Sequence, residues 1–388
     1  MNTDIYGYER SNGTVGIRNY VVVMSVMDSM NPIAARIAEM VSGTVLITDL
    51  FGRRMVGTNY HTRQKALLGL GTNPNVAAIL LLGLHEPAVL NLLEPFAAMG
   101  MDVEGIAYQK EAGTASVIAS GVRIATQLVR KHSMTRPQRF PLSVLRMGVE
   151  CGGSDYSSGI AGNPALGIAS NMLMDAGGSV VLSETAEIMG AEHILARDAT
   201  TPEVGQKIYQ AIRDIEEMAR LGGVPDIRKT NPSADNIRGG ISTLAEKALG
   251  AVKKAGTRPL QDVLEYCDRL PHNASGFYFM NTASPACESM TGLAAGGVQL
   301  ITFNTGLGQP SANPVTPTIK MSGNPRTVCR GAEDLDIEVS DILTGKESLE
   351  EAGERVFREI VAVAQGKLTV SEVMRTGQSC ISVCGASM

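Results

Sequence analysis

The sequence contains no tryptophan, and tyrosine and phenylalanine bring the aromatic share to only 4%. Proteins that grip single-stranded nucleic acid stack bases on aromatic side chains, so a chain this poor in them is a poor candidate for that class. A surplus of positive charge is absent too. The formal net charge is -5 and the pI near 5.7, which disfavours a binder steered electrostatically to nucleic acid or to an anionic membrane, while leaving room for a local basic pocket. The six cysteines, Cys151, Cys267, Cys287, Cys329, Cys380 and Cys384, form no paired framework, and a chain of 388 residues needs no such staples, so a reducing compartment is expected. The opening "MNTDIYGYERSNG" lacks a basic region followed by an apolar run, and stretches such as "VAAILLLGL" (76–84) are too short to span a bilayer. We therefore expect a cytoplasmic protein with neither a nucleic-acid nor a membrane partner.

What is present is a large apolar fraction, 44%, and 42 glycines, the composition of an α/β enzyme with loop-built sites and at least two domains. Apolar runs alternate with helical patterns: "NYVVVMSVM" (19–27), "PIAARIAEMV" (32–41), "GTVLITDL" (43–50), "HTRQKALLGLG" (61–71) and the run at 76–84. Near-continuous apolar strands separated by helices predict parallel sheets covered by helices on both faces. The helical "TASVIASGVRIATQLVRKHS" (114–133) meets "MTRPQRFP", whose prolines and charges predict a boundary between an α/β domain over 1–135 and a second over 141–388. In the second, strands are expected at "SVVLSE" (179–184), "GFYFMN" (276–281) and "VQLITFNTG" (298–306), with a helix-rich insertion over about 199–270 and an amphipathic helix at 348–366 packed on the body.

The unusual residues follow the strands. "GLHEP", "CGGSD", "SETAEIMGAEH" and "TGLGQPSANP" each succeed an apolar run, and in an open parallel sheet ligands bind outside the carboxyl ends of strands, so the four loops point to one crevice. "CGGSD" has neither a G-x-G-x-x-G pattern nor a P-loop, but its glycines would expose backbone N–H groups to an anion. Gly152, Gly153, Ser154 and, on the neighbouring loop, Thr305 are accordingly candidate substrate contacts. Cys151 admits three roles, nucleophile, metal ligand or packed thiol, and no adjacent histidine activates it. Glu184, Glu187, Glu192 and His193 fit metal ligands or an acid/base pair as well as ordinary partners of a helix dipole. Arg53 and Arg54 form a guanidinium pair suited to a carboxylate or sulfonate, or a solvated surface charge; His85 and Lys320 are candidate bases with equally ordinary structural readings.

Taken together, "YERSNGTVGIRNYVVV", "NPNVAAILLLGL", "VECGGSDYSSGIAGNPALG", "VVLSETAEIMGAEHIL", "NPSADNIRGGISTLAEKALG" and "FNTGLGQPSANPVTPTIKMSGN" resemble the altronate/galactarate dehydratase family over nearly the whole chain. The resemblance implies removal of a C3 leaving group from a 2-hydroxy acid, commonly with ferrous iron (Fe2+), to give a 2-oxo acid. It also implies a small N-terminal domain carried on a separate small subunit, since this chain begins at the "YERSNG" motif. The dehydratases place cysteines at the positions of Ser29, Arg53 and Glu86, read "TGRG" where this chain has "TGLG", and have an acidic residue near Ala286. These departures point to a changed substrate and resemble the family's split-subunit branch, the (2R)-sulfolactate sulfo-lyases; the rival expectations are a sugar-acid hydro-lyase and a non-catalytic binding subunit. On this reading Arg18, Arg53 and Arg54 hold the substrate, Lys320 or His85 is the base, and Cys151, Asp155, Glu184, Glu187 and His193 are the candidate ligands of Fe2+ or another divalent cation.

Overall fold

The computed structural model describes residues 4–51 and 55–383. A hairpin of β1 (Ile5–Glu9) and β2 (Val15–Gly16) opens the chain. Then β3 (Tyr20–Ser25), β4 (Thr44–Ile47), β5 (Val76–Gly83) and β6 (Asp102–Ala107) form a parallel sheet in the order β4-β3-β5-β6. Every residue of β5 is buried, as a central parallel strand covered on both faces must be, and this is why its sequence reads as one apolar run. Next, β7 (Gln138–Phe140) returns to pair antiparallel with β1. The remaining strands, β8 (Arg146–Gly152), β9 (Ser179–Leu182), β10 (Leu260–Leu264), β11 (Gly276–Met280), β12 (Leu300–Thr305), β13 (Thr318–Ser322) and β14 (Ile337–Glu338), make a second parallel sheet in the order β10-β11-β9-β8-β12-β13-β14.

The architecture is the α/β one expected, parallel sheets flanked by helices, and the amphipathic helix Leu349–Ala364 packs on the body against Asn163–Asp175. Three details differ from the sequence reading. The segment expected to be only a boundary contains β7, because a short strand at a sheet edge tolerates the flanking prolines. The region expected to be a helix-rich insertion contributes β10 to the edge of the sheet, its "LQDVL" being too short and too polar to stand out from its helical surroundings. And "TIKMS", read as a stretch following a loop, is the fully buried strand β13, with Lys320 at its centre. No helix of the described residues is long and apolar enough to cross a membrane.

The two sheets are joined by exchanged ends. Ile5 and Ile17 pack into the core of the second sheet, while Val315 and Ile381 pack with β3 and β5 residues in the core of the first. Two buried amides close the junction. Asn73 Nδ2 donates to the carbonyls of Ala294 and Val298 at 2.7 and 2.8 Å, and Asn75 Nδ2 donates to those of Gln299 and Val315 at 2.8 and 2.9 Å. Asn75 Oδ1 in turn accepts the backbone N–H groups of Ile17 and Arg18. Since each buried group left unpaired costs about 1–3 kcal/mol, Asn75→Ala is expected to lower unfolding stability by about 3 kcal/mol, read as a shift in the urea midpoint.

Candidate active site

The second sheet starts at its centre. From β8 the chain moves outward through β9 to β10 and back to β11, then crosses to β12 on the other flank and continues to β13 and β14. Connections from β8 and β12 therefore leave in opposite directions, which opens a crevice above their carboxyl ends. There Cys151 pairs with Asn304, and Gly152 with Thr305. Gly153 has a φ of 62°, turning the chain sharply into Ser154 and Asp155, and its carbonyl accepts the N–H of Leu307 at 2.9 Å, tying the two loops together. Asp155 is the hub beneath them. Its Oδ1 accepts from Ser157 Oγ at 2.6 Å and the Ser158 N–H at 3.1 Å, while Oδ2 accepts from Asn324. Gly306 lies against it so closely that a Cβ there would sit 2.4 Å from the Asp155 carboxyl carbon. Past this loop a turn of π-helix, Ser158–Gly162, leads into the helix Asn163–Asp175.

Below the loops lies a buried polar cluster. Glu184, immediately after β9, adopts a left-handed conformation (φ 67°, ψ 71°), a strain that costs of order 1–3 kcal/mol in a non-glycine residue. The turn brings its Oε2 back under β8, where it accepts from the Cys151 N–H at 3.0 Å, the Cys151 thiol at 3.3 Å and Lys254 Nζ at 2.9 Å. Lys254 is wholly buried and Glu184 nearly so. Burial pushes the Cys151 thiol up to about 12, with the Glu184 charge adding to it, so the cysteine is a neutral donor rather than a thiolate. Burial by itself would lower the Lys254 ammonium, but the Glu184 carboxylate at 2.9 Å reverses this and holds it charged. On the opposite face of β8, Glu150 Oε1 accepts from Ser183 at 2.6 Å and from Ser289, while its buried Oε2 has no partner among the described residues. Burial, reinforced by the Glu184 charge, holds the Glu150 carboxyl well above the ordinary range.

Two family models cover most of the chain: the D-galactarate/altronate dehydratase C-terminal domain matches residues 142–386, and the second domain of D-galactarate dehydratase/altronate hydrolase matches 7–133. The chain belongs to the D-galactarate/altronate dehydratase family. Among its relatives, a (2R)-sulfolactate sulfo-lyase subunit beta from Chromohalobacter salexigens is 33% identical over 95% of this chain and 94% of its own. Altronate dehydratases of Bacillus subtilis and Escherichia coli are 30% and 29% identical over 96% and 94% of this chain, and 76% and 74% of theirs.

In this member of the dehydratase family the expected site residues are not all brought together. Cys151, Gly152, Gly153, Ser154, Asp155, Glu184 and Thr305 share the β8–β12 rim or the cluster beneath it. Glu187 faces Lys247, which also donates to Asn231 and Asn236, and His193 is exposed on the helix Glu192–Arg197. Lys320 Nζ donates to the Pro310 carbonyl in the loop after β12, and burial lowers its pKa. His85 caps a helix on the first sheet, its Nδ1 accepting from the Ala88 N–H. Arg18, expected to hold substrate, is a structural residue: its five donors go to Glu372 and to the carbonyls of Ile17, Val363 and Lys367. Arg53 and Arg54 lie outside the described residues.

The candidate ligands do not fit a divalent cation as a set. Lys254 holds the Glu184 carboxylate, Lys247 holds Glu187, serine and asparagine donors fill Asp155, and His193 is exposed whereas these three are buried. Sequence reasoning missed both lysines, Glu150 and Asn304, whose Oδ1 is buried without a partner among the described residues. Only Asn304 carried a signal, at the end of a strand within "FNTG". Because removing one partner strands a buried charge, Lys254→Met is expected to cost about 3–5 kcal/mol in urea unfolding, and adding Glu184→Gln should recover part of it. Glu150 gives a pH signature. Below its ordinary value of 4.5 both folded and unfolded chains carry the proton; above it the unfolded chain ionises first, so stability falls as pH rises toward the folded value. Glu150→Gln is expected to flatten that decline above pH 4.5, measured by urea midpoints at increasing pH.

Proposed function

We propose that this chain is the large subunit of a lyase that eliminates a C3 leaving group from a 2-hydroxy acid, with (2R)-3-sulfolactate as the substrate and pyruvate and sulfite as products. The observation that carries this reading is the match to a sulfo-lyase subunit along nearly the full length of both chains, combined with a donor-lined rim at the switch point of the second sheet. In the reaction a base takes the C2 proton and the freed pair forms the C2–C3 double bond. The C3–S bond breaks with its electrons on sulfur, releasing sulfite, and the enol of pyruvate gains a proton at C3 to become the 2-oxo acid.

The hard step is the first, because a proton beside a carboxylate is weakly acidic until donors stabilise the charge that develops. Backbone N–H groups around Gly152 and Gly153, with Ser154 and Thr305, are the proposed donors, and Arg53 and Arg54 the proposed sulfonate grip. Lys320 is the proposed base at the neighbouring loop, since a lowered pKa is what a lysine needs for that role. We propose further that the chain works in the cytoplasm with a small partner subunit, in keeping with the relative's name as a subunit beta. The altronate dehydratase relatives favour the one rival, loss of water from a sugar acid.

The test is to co-purify the chain with its small partner and assay (2R)-3-sulfolactate and D-altronate with and without ferrous iron. Sulfite release is the expected result; 2-oxo acid formation from altronate alone would replace sulfolactate with a sugar acid, and no turnover of either would leave a binding subunit. In the active preparation Arg53→Ala should raise KM for sulfolactate about tenfold or more, the loss of a charge-assisted bond.

A further inference from the structure

We infer that the first sheet carries a second binding site, for a small oxoanion or the anionic end of a small organic acid, formed by Arg63, His85 and Tyr60. This sheet also has a switch point. The chain enters at β3, adds β4 on one side, then crosses to β5 and β6 on the other, so β3 and β5 open a crevice at their carboxyl ends. A cavity of about 180 Å³ lies there, lined by these three residues together with Val26, Gln64 and Asn91.

The polar groups are arranged as donors. Arg63 is 8% exposed, and its guanidinium is fixed by Asp49 through Nε at 2.5 Å and by the Val26 carbonyl through Nη2 at 2.7 Å. That leaves Nη1 with no acceptor among the described residues. The His85 Nδ1 accepts the Ala88 N–H at 3.2 Å to cap its helix, so the proton of the neutral ring sits on Nε2, a donor free for a ligand. The Tyr60 hydroxyl accepts from Gln64 Nε2 and Asn91 Nδ2, both at 3.0 Å, which fills its lone pairs and leaves its own proton to give. In this orientation Gln64 Oε1 is buried without a donor. Reversing the amide would use the Tyr60 proton but leave the Gln64 nitrogen unpartnered, so one donor is unspent either way.

A cavity offering three donors, with no carboxylate among its described lining residues, selects an oxoanion over a cation. Its size admits a few heavy atoms and no more. A segment near the C-terminus links this rim to the second. Gln378 N–H donates to the Ala312 carbonyl, in the loop after β12, at 2.9 Å, and the next residue, Ser379, donates to the Thr48 carbonyl at 3.3 Å, beside Asp49. The inference does not rest on the lyase reading, since the donor set would bind inorganic sulfite and a carboxylate such as pyruvate by the same contacts.

The test uses the full chain with carbon-13-labelled histidine. Sodium sulfite and sodium pyruvate are titrated separately, and the His85 signal, assigned with His85→Asn, is followed by NMR. A saturable His85 shift is expected with at least one of the two, and which one shifts it names the source of the oxoanion. Tyr60→Phe, which keeps the ring, and Arg63→Lys should each weaken binding about tenfold, as loss of one charge-assisted hydrogen bond does. Urea midpoints show which variants remain folded, and Tyr60→Phe suffices if Arg63→Lys does not. No His85 shift with either anion, or unchanged affinity in the folded variants, overturns the site. Binding without turnover would sustain it while removing the lyase reading, and turnover without binding would do the reverse.

Discussion

The ion pair between Lys254 and Glu184 constrains the half of the molecule built on the second sheet. It joins three distant pieces of chain: the turn after β9, the turn at 253–255, and the end of β8, which it reaches through the Cys151 N–H and thiol. Such a pair contributes little net stability, since removing two charges from water costs about as much as their attraction returns. Its Glu184 backbone is strained besides. What it supplies is position. A carboxylate with three donors on one oxygen has a single geometry, and the strand end above it inherits that geometry, so the glycine loop that begins at Gly152 starts from a fixed point.

The same economy governs the junction of the two sheets. Neither half completes its own core: the first needs Val315 and Ile381, the second needs Ile5 and Ile17. Exchanging ends buries apolar surface, and the Asn73 and Asn75 amides set the register of the contact, because four carbonyls and two N–H groups must be met at once. Two rigid rims held at a defined separation are what preorganised binding requires, since donors placed in advance need no reorganisation when a charge develops between them.

How much of this was legible in the sequence depends on how far each feature is local. β5 was legible because a covered parallel strand must be apolar at every position, and the four strand-end loops because polar residues and glycines interrupt such runs abruptly. β13 was not, since a lysine at the centre of a buried strand contradicts every local rule and is satisfied only by the Pro310 carbonyl ten residues away. Lys254 was hidden for the same reason. In "AVKKAG" two adjacent lysines read as a solvated turn, and only tertiary packing turns Lys254 inward, 70 residues along the chain from its partner Glu184. Arg18 misled in the other direction, for an arginine beside a family motif looks functional until its donors are counted.

The rim of the first sheet gives these departures a chemical sense. The resemblance to the dehydratases implies cysteines at the positions of Ser29, after β3, and Glu86, after β5; in this chain Ser29 is exposed and Glu86 pairs with Lys110 at the surface. Between them the rim instead presents Arg63, His85 and Tyr60, which are hydrogen-bond donors and not soft ligands. Hydroxide departs only with strong assistance from an acid or a Lewis acid, whereas sulfite is a stable anion that must chiefly be oriented and received. A rim of donors suits the second task, which is the one the proposed sulfo-lyase reaction sets.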